Sequence, residues 1–416
     1  MASDASATAE AVARRSYGRL IAILASRGRD LAAAEDALSE AFARALVEWP
    51  RTRAPGNPEA WLMTVARRQL IDGVRRRQTG DAMSDHLRLI ADELAAARDD
   101  AGGFGDQRLG LMFACAHPAI EEGIRAPLIL QSLLGFDAAA IGEAFLVSPA
   151  AMGQRLSRAK AKIKDAGIPF RVPDRSELPE RLEAVLDAIY AAYAEGWMKS
   201  TKSDDARGAL AEEAIWLGRL VVSLLPNEPE ALALVSLMLH LEARRPARRD
   251  AGGDYVPLAE QEVAQWDMHL IGEAEQLLMR ASHDGPTGRY QLEAAVQSAH
   301  AARRFTGRSD WRAIAQLYDA LIVLTHSPVV AINRAVAIAE TRGAVEGLAT
   351  LEAAAGDPRL AEYQPYWAAR AELLARAGDR ERADQAYERA IGLADDPAVR
   401  TFLQKKRSGL SQTSGV

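Results

Sequence analysis

Apolar residues recur along this chain at helical spacing, and alternating runs of Val, Ile and Thr are absent, which predicts an all-α protein. Tyr17, Leu20, Ile21 and Leu24 follow i, i+3, i+4, i+7. They predict a first helix ending near Gly28, with the first ten residues frayed. Asp30 is placed to cap a second helix over 31–49. Its buried stripe is Ala34, Ala37, Leu38, Ala41, Phe42, Ala45 and Leu46, while Glu35, Asp36, Ser39, Glu40 and Arg44 face outward. A loop over 50–57 carries Arg51 and Arg53. Asn57 then caps a third helix, with Pro58 at its first position. Trp61, Leu62, Val65, Ala66, Gln69 and Ile71 form its apolar side. Arg67, Arg68, Arg75, Arg76 and Arg77 load the other side and the C-terminal end, against two acids, Glu59 and Asp72. Such a helix is either a solvated helix with a favourable dipole or one that lies on a phosphate backbone.

Further along, 80–105 reads as a linker, acidic through Asp81, Asp85, Asp92, Glu93, Asp99 and Asp100 and glycine-rich at its end. Helices over 108–116 and 121–134 follow. A short helix over 137–145, a turn at Leu146-Val147, and a helix from an N-cap at Ser148 to Ala166 give helix-turn-helix spacing. The last helix buries Met152, Leu156, Ala159 and Ile163. Gln154, Arg155, Arg158, Lys160, Lys162 and Lys164 occupy the rest, with no acid between Ser148 and Lys164. Read alone, these are uncompensated charges that call for a polyanion: Gln154, Arg155 and Arg158 for base edges, the lysines for phosphates. A basic exposed helix is the plainer alternative.

Pro169, Pro173 and Pro179 mark a boundary, and helices alternate through 170–407. Trp367, Ala371, Leu374, Gly378, Ala383, Tyr387 and Ala390 have the spacing of a tetratricopeptide repeat. An earlier copy holds Ala335, Ile338, Gly347, Leu351 and Ala354, displaced by 36 residues in both Ala335 to Ala371 and Gly347 to Ala383. Helix pairs of this kind stack into a solenoid whose concave face suits a peptide or protein ligand; a purely structural bundle is the alternative.

Composition changes this picture little. With 416 residues, 49% hydrophobic and 26% charged, the chain has material for two or three cores. The net charge of −6 hides the segregation of basic runs into the first 165 positions. A single cysteine, Cys115, excludes an internal disulfide. No apolar run reaches the ~18 residues of a membrane span, and the N-terminus lacks the pattern of a signal peptide. A cytoplasmic protein without membrane partners is expected. Cys115 and His117 lack further ligands for a metal site. No nucleophile triad, paired carboxylates or phosphate-binding glycine loop is present, so no enzyme, metal or cofactor is expected.

Two stretches carry a family resemblance. AAEDALSEAFARAL (33–46) and PEAWLMTVARRQLIDGVRRR (58–77) place residues 11–79 close to region two of an extracytoplasmic-function (ECF) RNA polymerase sigma factor. FDAAAIGEAFLVSPAAMGQRLSRAKAKIK (136–164) resembles region four of the same family, within 106–168. The resemblance implies that Glu35, Asp36, Ser39, Glu40 and Arg44 contact core RNA polymerase. It implies −10 promoter contacts from Arg51, Arg53, Asn57, Arg67, Arg68, Asp72, Arg75 and Arg76, with Trp61 in the core beneath the strand and the loop 51–57 holding an unstacked base. Gln154, Arg155, Arg158, Lys160 and Lys162 would meet the −35 DNA. The acidic linker 80–105 would run along the RNA-exit path. Ser39 stands where Gln is common, and Arg68 where Asn is common, which leaves the −10 base preference open. FRVP (170–173), YAEGW (193–197), QEVAQWDMHLI (261–271), GRYQLEAAVQSAHA (288–301) and SPVVAINRAVAIAE (327–340) resemble a subgroup with a tetratricopeptide-like C-terminal extension that takes over regulation. The expected function is promoter-directed transcription initiation under control of that extension. A polymerase-independent helix-turn-helix regulator with a solenoid sensor, and a scaffold whose basic helices hold acidic partners, are the competing readings.

Overall fold

The computed structural model describes residues 2–28, 30–77, 107–145, 147–171, 173–174, 176–198, 205–282 and 286–412; the expected linker 80–105 lies outside them, as does Leu146 of the expected turn. Among the described residues there are nineteen α-helices and no strand, apart from an isolated bridge between Arg249 and Tyr255. None of these helices is long and apolar enough to cross a membrane. The chain divides into two compact units, Met1–Ala192 and Tyr193–Val416.

In the first unit, α1 (Ala2–Gly28) starts earlier than the expected frayed end, because its first turns are rich in alanine, the strongest helix former. α2 (Leu31–Thr52) runs three residues past its expected end and carries Pro50 inside. Asp30 caps it by accepting from the Ala33 amide at 3.0 Å. α3 (Pro58–Arg77) is capped by Asn57, whose Oδ1 accepts from the Ala60 amide at 3.0 Å. Then come α4 (Gln107–Cys115), α5 (Glu122–Leu134), α6 (Ala138–Ala144), α7 (Pro149–Asp165) and α8 (Pro179–Met198), the last spanning the division between units. α1 packs on α2 and α3 and also on α4 and α5, while α2 packs on α7. A Cβ at Gly18 of α1 would stand 2.1 Å from the Leu133 carbonyl oxygen of α5, so only glycine permits this crossing. A Cβ at Gly142 would lie 2.5 Å from the Val147 carbonyl oxygen, which is how the turn between α6 and α7 closes so tightly. Cys115 is buried, and burial, then Glu35, pushes its thiol pKa far up. His117 Nδ1 accepts from the Ala119 amide at 3.1 Å and serves a turn.

The second unit is a succession of helices: α9 (Asp205–Leu224), α10 (Pro229–Ala243), α11 (Met268–Ala281), α12 (Arg289–Ala301), α13 (Arg303–Thr306), α14 (Trp311–Thr325), α15 (Pro328–Arg342), α16 (Ala344–Ala353), α17 (Gln364–Ala377), α18 (Arg380–Gly392) and α19 (Pro397–Gln412). Most pack on the helix next in the chain, and α10 also packs on α12. α10 is apolar all round and is buried from Ala231 through His240, the arrangement of a central helix. Further on, small residues set the spacing. A Cβ at Gly347 would come within 2.5 Å of the Ala339 Cβ, so α15 and α16 touch backbone to backbone. Gly378 ends α17 at φ +88°, a left-handed cap that favours glycine. The residues 36 apart, Ala335 with Ala371 and Gly347 with Ala383, are buried at like places in the pairs α15–α16 and α17–α18.

Two histidines lie inside this unit. Burial, then Arg244, holds the His240 pKa down to about 3 and the His300 pKa down to about 4. Unfolded, each titrates near its ordinary value of 6.5. The unfolded chain therefore takes up protons first as the pH falls. Their contribution to stability is complete above 6.5 and is lost on acidification, at about 1.4 kcal/mol per pH unit for each. Denaturant unfolding between about pH 6 and pH 5 should show this slope, and His240→Leu with His300→Leu should flatten it by roughly 2 to 3 kcal/mol per unit. An unchanged slope would mean that the folded imidazoles are already charged.

Candidate nucleic-acid interface

The outer face of α2 is polar in its middle and apolar at its end. Asp36, Ser39, Glu40 and Arg44 are exposed, with Arg44 paired to Glu40 at 3.5 Å. Leu46 and Val47 are 51% and 57% exposed. Leu46 is thus not part of the buried stripe, contrary to the expectation from spacing. The helix continues to Thr52, and Trp49, one turn beyond Ala45, takes the core position instead, so Leu46 is rotated off the buried face. Phe42 is half-buried.

Glu35 corrects the sequence reading more sharply. It does not face solvent: its carboxylate pairs with Lys160 of α7, both side chains being nearly buried at 14% and 13% exposure. Lys164 pairs with Asp30 at 2.9 Å and Arg155 with Glu121 at 2.7 Å. Three of the five basic residues that looked uncompensated within 148–164 are therefore matched by carboxylates from the N-cap of α2, from α2 itself and from the start of α5. A count along one helix does not see acids more than thirty residues away. Arg158 and Lys162 remain exposed and without an ion pair among the described residues.

On α7, Met152, Leu156, Ala159 and Ile163 are buried and Ser148 Oγ accepts from the Ala151 amide at 3.4 Å. The exposed N-terminal end carries a shallow depression lined by Pro149, Ala150, Gly153, Gln154, Ser157 and Arg158. Ser157 and the small residues were not singled out from sequence. Their signal was their register, which puts them beside Gln154 and Arg158 at the start of α7.

The third element is α3 with the loop before it. Trp61 is half-buried and meets Trp49 edge-on, with ring centroids 5.4 Å apart at 67°. Leu62, Met63 and Ala66 carry the burial. Arg68 and Asp72 are exposed and Arg67 is half-buried. Arg75 and Arg76 lie on α3 in its last turn, with side chains outside the described set. Arg51 and Arg53 are exposed, and Asn57, also exposed, spends its side-chain oxygen on the α3 cap. Arg53 has φ +71° and ψ 151°, a conformation that L side chains rarely adopt and that stores strain at the head of this loop.

Residues 12–79 match Sigma-70 region 2, and residues 181–282 match a family of unknown function, DUF6596. The chain is 38% identical over 387 residues to the uncharacterized protein R00370 of Rhizobium meliloti, which covers 92% of this chain and 91% of that one. The chain belongs to the family of this Rhizobium protein. A probable RNA polymerase sigma factor, RfaY, of Xanthomonas campestris pv. campestris is 28% identical over 169 residues, 38% of this chain and 42% of that protein. No solved structure matches. The sigma-70 region 2 of this family member is α1 to α3, and together with the Xanthomonas relative it supports a sigma-factor role.

Two outcomes follow from the geometry. In a double-mutant cycle of Glu35→Gln and Lys160→Met, each single change should cost more than the pair together, with a coupling of about 1–3 kcal/mol, because either alone strands a nearly buried charge; additive costs would mean the pair is not formed. Arg53→Gly should raise stability by about 1 kcal/mol by relieving the positive φ; a loss on thermal or denaturant unfolding would show that φ there is ordinary.

Proposed function

We propose that this protein is an ECF-type sigma factor that recruits core RNA polymerase to promoters and is regulated by its own C-terminal helical unit. The observation that supports the reading is the presence, within one compact unit, of a sigma-70 region 2 and of the short helix α6 followed by α7, which exposes Gln154, Ser157 and Arg158 at its N-terminal end. In this reading α7 reads −35 bases with Gln154 and Arg158, and Lys162 meets phosphate. Arg51, Arg53, Arg68 and the end of α3 hold the −10 strand, and Asp36, Ser39, Glu40 and the exposed Leu46 and Val47 dock on the polymerase. The paired helices of the second unit act as a tetratricopeptide-like regulatory domain that takes a protein or peptide ligand.

The ion pairs give this reading a further physical content. Lys160 holds Glu35 and Lys164 holds Asp30, so the polymerase-facing helix and the DNA-facing helix neutralise each other in the free chain. In this reading the exposed Arg158, Lys162, Asp36 and Glu40 make the first contacts, and Lys160 and Lys164 reach phosphate only by giving up their carboxylates.

Run-off transcription with purified core polymerase and genomic fragments tests the proposal. The full chain should yield discrete new transcripts. Gln154→Ala with Arg158→Ala should cut them at least tenfold, as expected for lost base contacts, while co-purification with core polymerase stays unchanged. Asp36→Arg should instead weaken co-purification. Tight duplex binding with no transcript would favour the polymerase-independent regulator.

A further inference from the structure

The second unit has a corner where neither charge nor hydrogen bonding closes. Arg244, just after α10, is 6% exposed. Its guanidinium donates to the His240 carbonyl at 3.3 Å and to Gln297 Oε1, both neutral, and it has no carboxylate partner among the described residues. His240, one turn earlier, is 1% exposed, and neither ring nitrogen makes a hydrogen bond. The Glu275 carboxylate stands 3.9 Å from its Nε2, beyond bonding reach, and is held by Ser298 Oγ at 2.8 Å and by Arg304 at 3.7 Å. His300 of α12 is buried with an orphan Nδ1, and both imidazoles feel the Arg244 charge.

The chain between α10 and α11 forms a strap over this corner. Trp266 packs in one apolar cluster with Ala243 of α10 and Ala301 of α12, and its Nε1 has no acceptor. Arg303 fastens the strap: it donates to the carbonyls of Leu258 at 3.0 Å and Ala259 at 2.9 Å, and to that of Gln261, and it lies 5.1 Å over the Trp266 ring. Arg303 likewise has no carboxylate partner among the described residues.

A buried cation without a counter-ion is strongly unfavourable, and so is each buried donor without an acceptor. Here they gather in one place. Arginine and the indole N–H only donate, and a neutral imidazole offers one N–H. The missing species is therefore rich in acceptors and negative. Among the described residues no carboxylate pairs with Arg244 or Arg303, and Glu275 is already held by Ser298 and Arg304.

We propose that the second unit binds a small oxyanion, a carboxylate or phosphate group, between α10 and α12 beneath the strap. Arg244 is its charge partner, and His240 and His300 are neutral donors. The site does not rest on the transcriptional reading, since it is built wholly within 240–303. Binding supplies the counter-ion that the fold lacks and so stabilises the folded chain by mass action.

The test uses the full-length chain, with inorganic phosphate, acetate and succinate titrated against sodium chloride of matched ionic strength. Thermal unfolding and calorimetry are the readouts. One anion class should raise the midpoint by roughly 5 °C at about a hundred times its dissociation constant, with one site per chain. A response to phosphate alone marks a phosphate site; one to acetate or succinate marks a carboxylate site. Arg244→Met should be at least as stable as the parent without anion and should lose the response at least tenfold in affinity. Equal shifts with chloride, or no shift into the millimolar range, overturn the proposal, as does an undiminished response in Arg244→Met. Nitrogen-15 spectra of the parent chain keep the test open should that variant not fold: the His240 and His300 ring signals must move with the stabilising anion, and static signals would place it elsewhere.

Discussion

The N-terminal unit depends on how closely α1 crosses α5. At Gly18 there is no room for a side chain, since even a Cβ would overlap the Leu133 carbonyl. That contact joins the sigma-70 region 2 helices to the helices that follow them in one packed body. With α1 seated on α5, α2 lies beside α7, and the Glu35–Lys160 and Asp30–Lys164 pairs become possible. A bulkier residue at position 18 would separate the helices and leave two nearly buried charges stranded. Steric fit thus sets the electrostatics, and the electrostatics leave Arg158 and Lys162 as the basic residues of α7 without an ion pair among the described residues.

The second unit solves a different problem. Its first half is centred on α10, which is too apolar to face water anywhere along its middle. Polar groups placed there must find partners in neighbouring helices. Ser236 does, donating to the Ala274 carbonyl at 2.8 Å. His240 on the same helix face and Arg244 just past its end do not reach a comparable arrangement. In the second half, glycine and alanine at the helix contacts remove the issue, because backbones meet with little side chain between them.

Much of this was legible along the chain because it is local. Caps at Asp30, Asn57 and Ser148 follow from one side chain and the amide three residues on. The buried face of α7 follows from its period. The 36-residue displacement found two like-built helix pairs. What escaped was non-local or depended on a boundary. Leu46 reads as inward because the apolar stripe is closed at Ala45 and Leu46 without Trp49, which takes the core position one turn beyond Ala45. Glu35 was assigned outward because its partner lies 125 residues away. The strain at Arg53 had no signal, since arginine is an ordinary loop residue by type. The unsatisfied corner around Arg244 was hidden for the same reason: His, Arg and Trp read as ordinary helix and loop residues until packing brings α10, α12 and the strap together.

Cys115 has a consequence for redox chemistry. Peroxides and disulfides react with thiolate, and the fraction of thiolate falls tenfold for each unit by which the pKa rises above the ambient pH. Burial and the Glu35 carboxylate both act against ionisation of this sulfur. The only cysteine of the chain is therefore a poor target for oxidants while the fold is closed, and oxidation at this sulfur becomes a chemical record of opening rather than a signal that causes it.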